Sequence, residues 1–425
     1  MSRASRRIER VLGLALILVS ATISTDVSRA GIIRLERDGS GDFTILQDAL
    51  DAAATGDTIL IGPGRYDDLT VETFLSGGVG ATIGNIHVDS LTIIGESMES
   101  VRIGPEEMVF QLDGIYPTYG LVADNDEEYS WSIHDLTIEN CARVILTEGN
   151  VVAQGCQFLS EALFGVYLYN EGEAESVEFY RCRFGRSDPE RRDRVEILGS
   201  PIGFGPTRVV VQDCVFDGVS MNISSVQELR LERVDLQWGY ITLTLVSGLL
   251  KDVVADNPGR QTLGVDSSQI TIENSVFRGG SGSVSAGFIA SIVRAYSARF
   301  MTPYDAVSLA NSSATIVVNG GLLEAQNCDF QPSLNGYSIY AGILEEDLST
   351  LDLSDNYWGT TDSLAIEARI IDRMDPDAPE YPNGADLTRV QFSPWLDERP
   401  LPNDSTSFGG LKSRLRRGAA ARKER

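Results

Sequence analysis

The chain has 425 residues and 42% hydrophobic content, which favours a packed core over a disordered chain. Its formal net charge is −26, yet residues 1–30 carry +3 and residues 409–425 carry +6, so the body between them carries −35. A body that acidic repels the phosphates of nucleic acid and the headgroups of anionic lipid, and it argues against both as partners.

Residues 1–30 read as an export signal. Arg3, Arg6, Arg7 and Arg10 precede the apolar run Val11–Val19, which is too short to span a bilayer as a stable helix. Ser28 and Ala30 supply small residues at a cleavage position. No other stretch is a transmembrane candidate, so the expectation is a mature protein with no transmembrane helix, secreted, periplasmic or at the cell surface. Asp38–Asp42 is a turn, and Thr44 with Gln47 has the form of a capping box. Ile45, Ala49, Leu50 and Ala53 form an apolar stripe and Gly56 a stop, so the spacing predicts a helix over about 44–54. Placed before the first strands, it would cover the open end of a stacked sheet. Thr58–Ile61 reads as a buried strand.

From Leu91 onward short strands alternate with turn residues, and one pattern returns. Val151-Val-Ala-Gln-Gly-Cys156-Gln-Phe158 is followed by copies ending at Phe184, Phe216 and Phe330, with Cys at 182, 214 and 328. Weaker copies place Val234, Ser275 and Ala298 at the Cys position. Another alternating strand precedes most copies across a polar turn, as Ile241–Leu245 precedes Leu249. A helix-free repeat of this kind, lacking tight Asn-Gly hairpin turns, can coil so that each turn pairs in parallel with the next. Identical positions then stack into internal ladders, with Cys chosen for its size and Phe for filling the space behind the bend. Five Cys cannot all pair, and stacked Cβ vectors run parallel, so free buried thiols are expected.

On these repeats the chain resembles the right-handed parallel β-helix proteins of the pectin-lyase-like fold, over roughly residues 31–398. Asp38–Ala53, Ile59–Tyr66 and Leu91–Glu96 are similar to the opening of pectinesterases. Asn356–Asp362 and Val390–Leu396 are similar to the closing segment of secreted bacterial β-helix-repeat proteins. The resemblance implies an all-β solenoid of roughly ten coils, with an N-terminal capping helix and a short C-terminal helix through 365–371. The closing segment spans about 356–398, and 399–425 is a linker with a basic, disordered tail.

The resemblance does not supply a catalytic set. The catalytic residues of pectinesterases find no match after Glu96, and the clustered Asp motifs of polygalacturonases are missing. Lys251 is the sole Lys of the body and reads as a solvated strand end rather than a lyase base. His87 and His134 read as surface or structural residues. Asp124, Asp126 and Glu128 in an insertion at 111–130 offer alternating oxygen ligands for calcium, or else form a solvated acidic loop. No other cofactor is expected. Tyr167, Tyr169 and Tyr240 fall on outward positions of alternating strands, and Tyr116, Tyr119 and Tyr129 come from the insertion. Such rings could stack on sugars, or be ordinary exterior tyrosines. The leading expectation is a monomeric, non-catalytic β-helix that binds a polysaccharide or cell-surface glycan or serves as an adhesion scaffold. The alternative is a divergent polysaccharide lyase or hydrolase with its acid and base in the 111–130 or 185–208 loops.

Overall fold

The structure, a computed structural model, describes residues 30–400 except 74–78, 108, 110, 115, 124–128, 148, 161–165, 171–175, 187–192, 200–206, 258–260, 280–285, 302–313, 320, 333–336, 342–349 and 373–388. The expected signal segment, the basic tail and residues 187–192 and 200–206 of the expected 185–208 loop lie outside the described residues. Asp193–Gly199 within that stretch is a strand of the third sheet rather than loop. The described strands form three long sheets of 12, 11 and 14 strands and a small two-stranded one. Away from the two ends of the stack, and apart from Thr70–Thr73 and Gln111–Leu112, which pair antiparallel with the strand that follows, successive strands go to the first, second and third sheet in rotation and pair in parallel with their counterparts one turn later. In the first sheet Val151 pairs with Val177, Val177 with Val209, and Val209 with Leu229. The protein is a right-handed parallel β-helix. The first sheet has twelve rungs among the described residues, beginning with Ile32–Leu35 and Thr58–Ile61, in line with the expected solenoid of roughly ten coils.

Three bends per turn require backbone that a regular strand cannot supply. From Asp135 onward the described bends between the first and second sheets each carry one residue in the left-handed region, among them Arg181, Asp213, Arg233, Asp252 and Asn274, with φ between 48° and 57°. The amide of each corner residue donates to a carbonyl of the next coil: Arg181 to Gln212, Asp213 to Glu232, Arg233 to Lys251 and Asp252 to Glu273. The strain of a non-glycine residue there, about 1–3 kcal/mol, is thus offset by a satisfied donor at each corner.

The residue after the corner turns inward, which explains the repeated Cys. Cys141, Cys156, Cys182, Cys214 and Cys328 are all free and buried. Cys182 Sγ donates to the Ala153 carbonyl of the previous coil at 3.4 Å, and Cys328 Sγ to that of Ala295 at 3.4 Å. Ser275 occupies the same rung, donating to Glu273 at 2.8 Å and accepting from the Val253 amide at 3.1 Å. Asn356 closes the row, donating to Ala325 and accepting from the Cys328 amide, both at 2.8 Å. Burial pushes the Cys141 and Cys328 thiols up to about 12, so they stay protonated and unreactive. Two residues on, the rings stack: Phe184 lies 5.0 Å from Phe158 and 4.4 Å from Phe216, and Phe300 lies 5.5 Å from Phe277.

Both ends are covered. The N-terminal helix is Leu46–Ala52, shorter than the expected 44–54, and it begins at Ile45 with no side-chain cap. The capping box does not form because Gln47 is buried. It bridges instead to the third sheet, accepting from the Asn85 amide at 2.8 Å. Gly56 has φ 86° but lies beyond the helix end. At the other end the helix is Ser363–Glu367, capped by Asp362, and Ile370–Ile371 is a strand instead of its continuation. Trp358 is fully buried, between Phe330 at 5.1 Å and Phe392 at 6.4 Å. Arg299 and Arg399 converge on buried Asp329 at 3.0 and 3.1 Å, tying the last described segment to the stack.

A Ser at position 182 makes the same contact as Ser275, so Cys182→Ser should change unfolding free energy by less than about 1 kcal/mol. Cys182→Leu overfills the ladder and should cost about 1–3 kcal/mol. Urea unfolding of both variants measures the difference; equal large losses would contradict a packing role.

Candidate functional site

Most strands of the first sheet alternate, so their outer face is set by sequence parity, although Val210 at an outward position of Arg208–Gln212 is itself buried. In Ser176–Tyr180, Val177 and Phe179 are buried while Ser176, Glu178 and Tyr180 face outward. Register then stacks Glu178, Val210 and Arg230 in one row, and Tyr180, Gln212 and Glu232 in the next. A third row holds Ser176, Arg208 and Glu228. The corner adds Arg181, Asp213 and Arg233.

These side chains form one ionic cluster. Tyr180 donates its hydroxyl to Glu178 Oε2 at 2.5 Å, and Arg208 Nη1 meets Glu178 Oε1 at 2.6 Å. Arg208 Nε lies 3.8 Å from Glu228. Arg230 Nε donates to Glu232 at 2.8 Å. Arg233 forks onto Asp213 at 2.6 and 3.0 Å and also pairs with Glu232. The Arg208 and Arg230 side chains nevertheless remain 43% and 49% exposed. Counting the adjoining row of the second sheet, which holds Arg183 and Asp235, five arginines and five carboxylates lie over three coils. This patch is close to neutral on a body that carries −35.

The electrostatics follow the contacts. Burial, then the Glu178 hydrogen bond, pushes Tyr180 up to about 12, so its hydroxyl keeps its proton. Hydrogen bonds from Arg233 hold Asp213 below the usual carboxylate range. Burial opposes ionisation of Glu232, but Arg230 and Arg233 together hold it low as well. Asp252, one coil beyond Arg233 on the same corner, is raised by burial despite Lys251 and Arg233 nearby. His134, further up the face, is lowered by burial, and Lys251 lies 3.7 Å from Glu273 as a solvated strand end.

The residues singled out from sequence do not gather here. Tyr119 is corrected: 111–130 is no simple insertion, because Tyr116–Ala123 is a strand of the third sheet between Val79–Asn85 and Arg143–Thr147. That pairing leaves Tyr119 6% exposed, with the Arg143 guanidinium 5.6 Å from its ring centroid, so it has no open face for a sugar. Tyr129 is half-buried, and Tyr116 lies on the strand with a side chain outside the described residues. Tyr167 and Tyr169 pair in register with Glu196 and Leu198, and their side chains too lie outside the described residues. Tyr240 is partly exposed beside a strand whose Ile241 and Leu243 are buried and whose Thr242 and Thr244 are not. Asp124, Asp126 and Glu128 lie outside the described residues. Among the described residues no group of three or more His, Cys, Asp and Glu side chains is placed to hold a metal. The arginine cluster was missed because its partners come from three copies of the repeat. Stacking the copies and reading the outward positions down the column would have found it.

No family model and no curated protein matches the sequence. By structure, the chain is similar to the A-module of the Azotobacter vinelandii mannuronan C-5 epimerase AlgE4. The TM-score is 0.51 at 11% identity, over 83% of this chain and 94% of that one. This likeness is one of fold. The catalytic domain of a GH87 α-1,3-glucanase also aligns, with a TM-score of 0.32, 9% identity and coverage of 81% of this chain and 64% of that one.

The depressed folded values of Asp213 and Glu232 stabilise the protein above the unfolded carboxylate range. That contribution disappears as pH falls through the folded values. Arg233→Gln should therefore lower stability by about 1 kcal/mol at neutral pH, and its deficit against the parent should shrink toward about pH 2. Urea midpoints across pH check this; a pH-independent deficit would contradict it.

Proposed function

We propose that this β-helix is an exported protein that binds an acidic polysaccharide on the outer face of its first sheet. The observation carrying the reading is the arginine cluster on three coils of an otherwise strongly acidic surface. Guanidinium forks match carboxylate geometry, and Arg208 and Arg230 keep much of their surface accessible. Repulsion from the rest of the body is damped beyond a Debye length of about 8 Å at physiological salt. Arg181 and Arg233 recur two coils apart on the corner, about 10 Å along the axis. Arg208 and Arg230 lie on the neighbouring rows, so an extended chain laid along the axis meets guanidinium groups on each of the three coils. The fold is one that a mannuronan epimerase uses, which supports a glycan as the ligand class.

A second reading rests on one observation. Asp213 is held low and Asp252 is raised, and the two stand two coils apart on one corner, about 10 Å along the axis. Carboxyl pairs pushed apart in this way can serve as base and acid in inverting glycoside hydrolysis. The binding reading is preferred because Arg233 occupies the rung between them and engages Asp213.

Affinity electrophoresis of the full chain in gels containing polygalacturonate or alginate tests the proposal, with dextran as the neutral control. Retardation is expected in the acidic gels, weakening with added salt. It should be lost in the Arg208→Glu/Arg230→Glu double variant, whose melting temperature should fall only modestly from loss of the Glu178 and Glu232 pairs, so that the chain stays folded at the assay temperature. Equal mobility in all gels would overturn the binding reading, and new reducing ends lost in Asp252→Asn would establish the hydrolytic one.

A further inference from the structure

The bend from the second to the third sheet carries an unusual residue. Trp238 adopts the left-handed conformation with φ 60°, the one aromatic among such positions in the described residues. The preceding coil places Gly218, φ 73°, at the equivalent bend. The amide of Gly218 donates to Gln237 and that of Trp238 to Asp256, both at 2.7 Å, so the bend is part of the regular stack. A bulky side chain is disfavoured there, and packing does not explain it, because Trp238 is 62% exposed. Gly239 holds the corner close: a Cβ there would collide with the Val219 carbonyl and touch Leu236.

The ring stands beside a polar row. Register aligns Asp217, Gln237, Asp256 and Arg278 on successive coils at the end of the second sheet. Arg278 Nη1 lies 3.4 Å from Asp256, and Gln237 Nε2 donates to Asp235 at 2.5 Å. An exposed indole face flanked by carboxylates and an amide is the chemistry that recognises a pyranose: C–H groups stack on the ring while hydroxyls donate to the oxygens. Asp217 and Asp256 outnumber the one cation of this row, Arg278, and so disfavour an anionic sugar.

We infer that the Trp238 corner is a second saccharide site, taking a neutral pyranose unit and separate from the arginine face. It stands on its own observation and does not need the arginine face to bind.

Acrylamide quenching of tryptophan fluorescence tests this on the full chain. Trp131 and Trp358 are 3% and 0% exposed, and the partly buried Trp395 is replaced by Phe in the background used for quenching, so Trp238 dominates the accessible signal. Titration with cellohexaose, laminarihexaose and mannohexaose should reduce quenching at least twofold with one or more of them, while oligogalacturonate should not protect. Protection should survive in Arg208→Glu/Arg230→Glu and disappear in Trp238→Gly, which keeps the bend because glycine favours that conformation. For the glycine variant, isothermal calorimetry replaces fluorescence as the readout. Failure of all three oligosaccharides to protect, or binding retained in Trp238→Gly, would overturn the proposal and leave the arginine face untouched.

Discussion

The left-handed corner and its hydrogen bond to the next coil govern this molecule. An ordinary strand cannot turn sharply, and an unpaired amide at a buried bend is costly. Here each corner residue bends the chain and donates its amide to the coil above, as Arg181 does to Gln212 and Asp213 to Glu232. The following residue must then enter the interior at a crowded point. Cys, Ser, Ala and Val fit there, and Asn356 ends the row by using both ends of its amide. The Cys positions are therefore consequences of the bend, and their protonated thiols carry no chemistry.

The same constraint separates framework from surface. Once corners set the register, inward positions are committed to packing and outward positions are free. The outward rows of the first sheet can then hold charges that would be intolerable inside. Tyr180, Glu178 and Arg208 come from two coils, and Asp213, Glu232 and Arg233 from the second of these and the next. No single repeat contains a site. The stack assembles one at a spacing fixed by backbone pairing.

Where local and tertiary demands compete, the tertiary ones win. Thr44 and Gln47 have the spacing of a capping box, yet Gln47 bonds to Asn85 in the third sheet and the helix starts uncapped. The stretch around Tyr116–Ala123 has no Cys–Phe signature, yet parallel pairing on both sides makes it a rung and buries Tyr119. Trp238 shows the reverse case. A bulky ring occupies a bend that glycine fills one coil earlier, so a local preference is overridden with no gain in core packing.

The sequence by itself determined the coil: strand alternation, a small residue after each bend and a Phe two positions later dictate parallel stacking and free, buried thiols. The parity of each strand was legible too, because it depends only on residues two apart. The partners across coils were not, since Glu178 and Arg208, or Asp213 and Arg233, are 30 and 20 residues apart and meet only through register. Loop lengths vary between coils, so that register cannot be counted along the chain and emerges only when the copies are aligned on their Cys and Phe positions. It is set by the inter-coil hydrogen bonds, and those exist only in the folded stack.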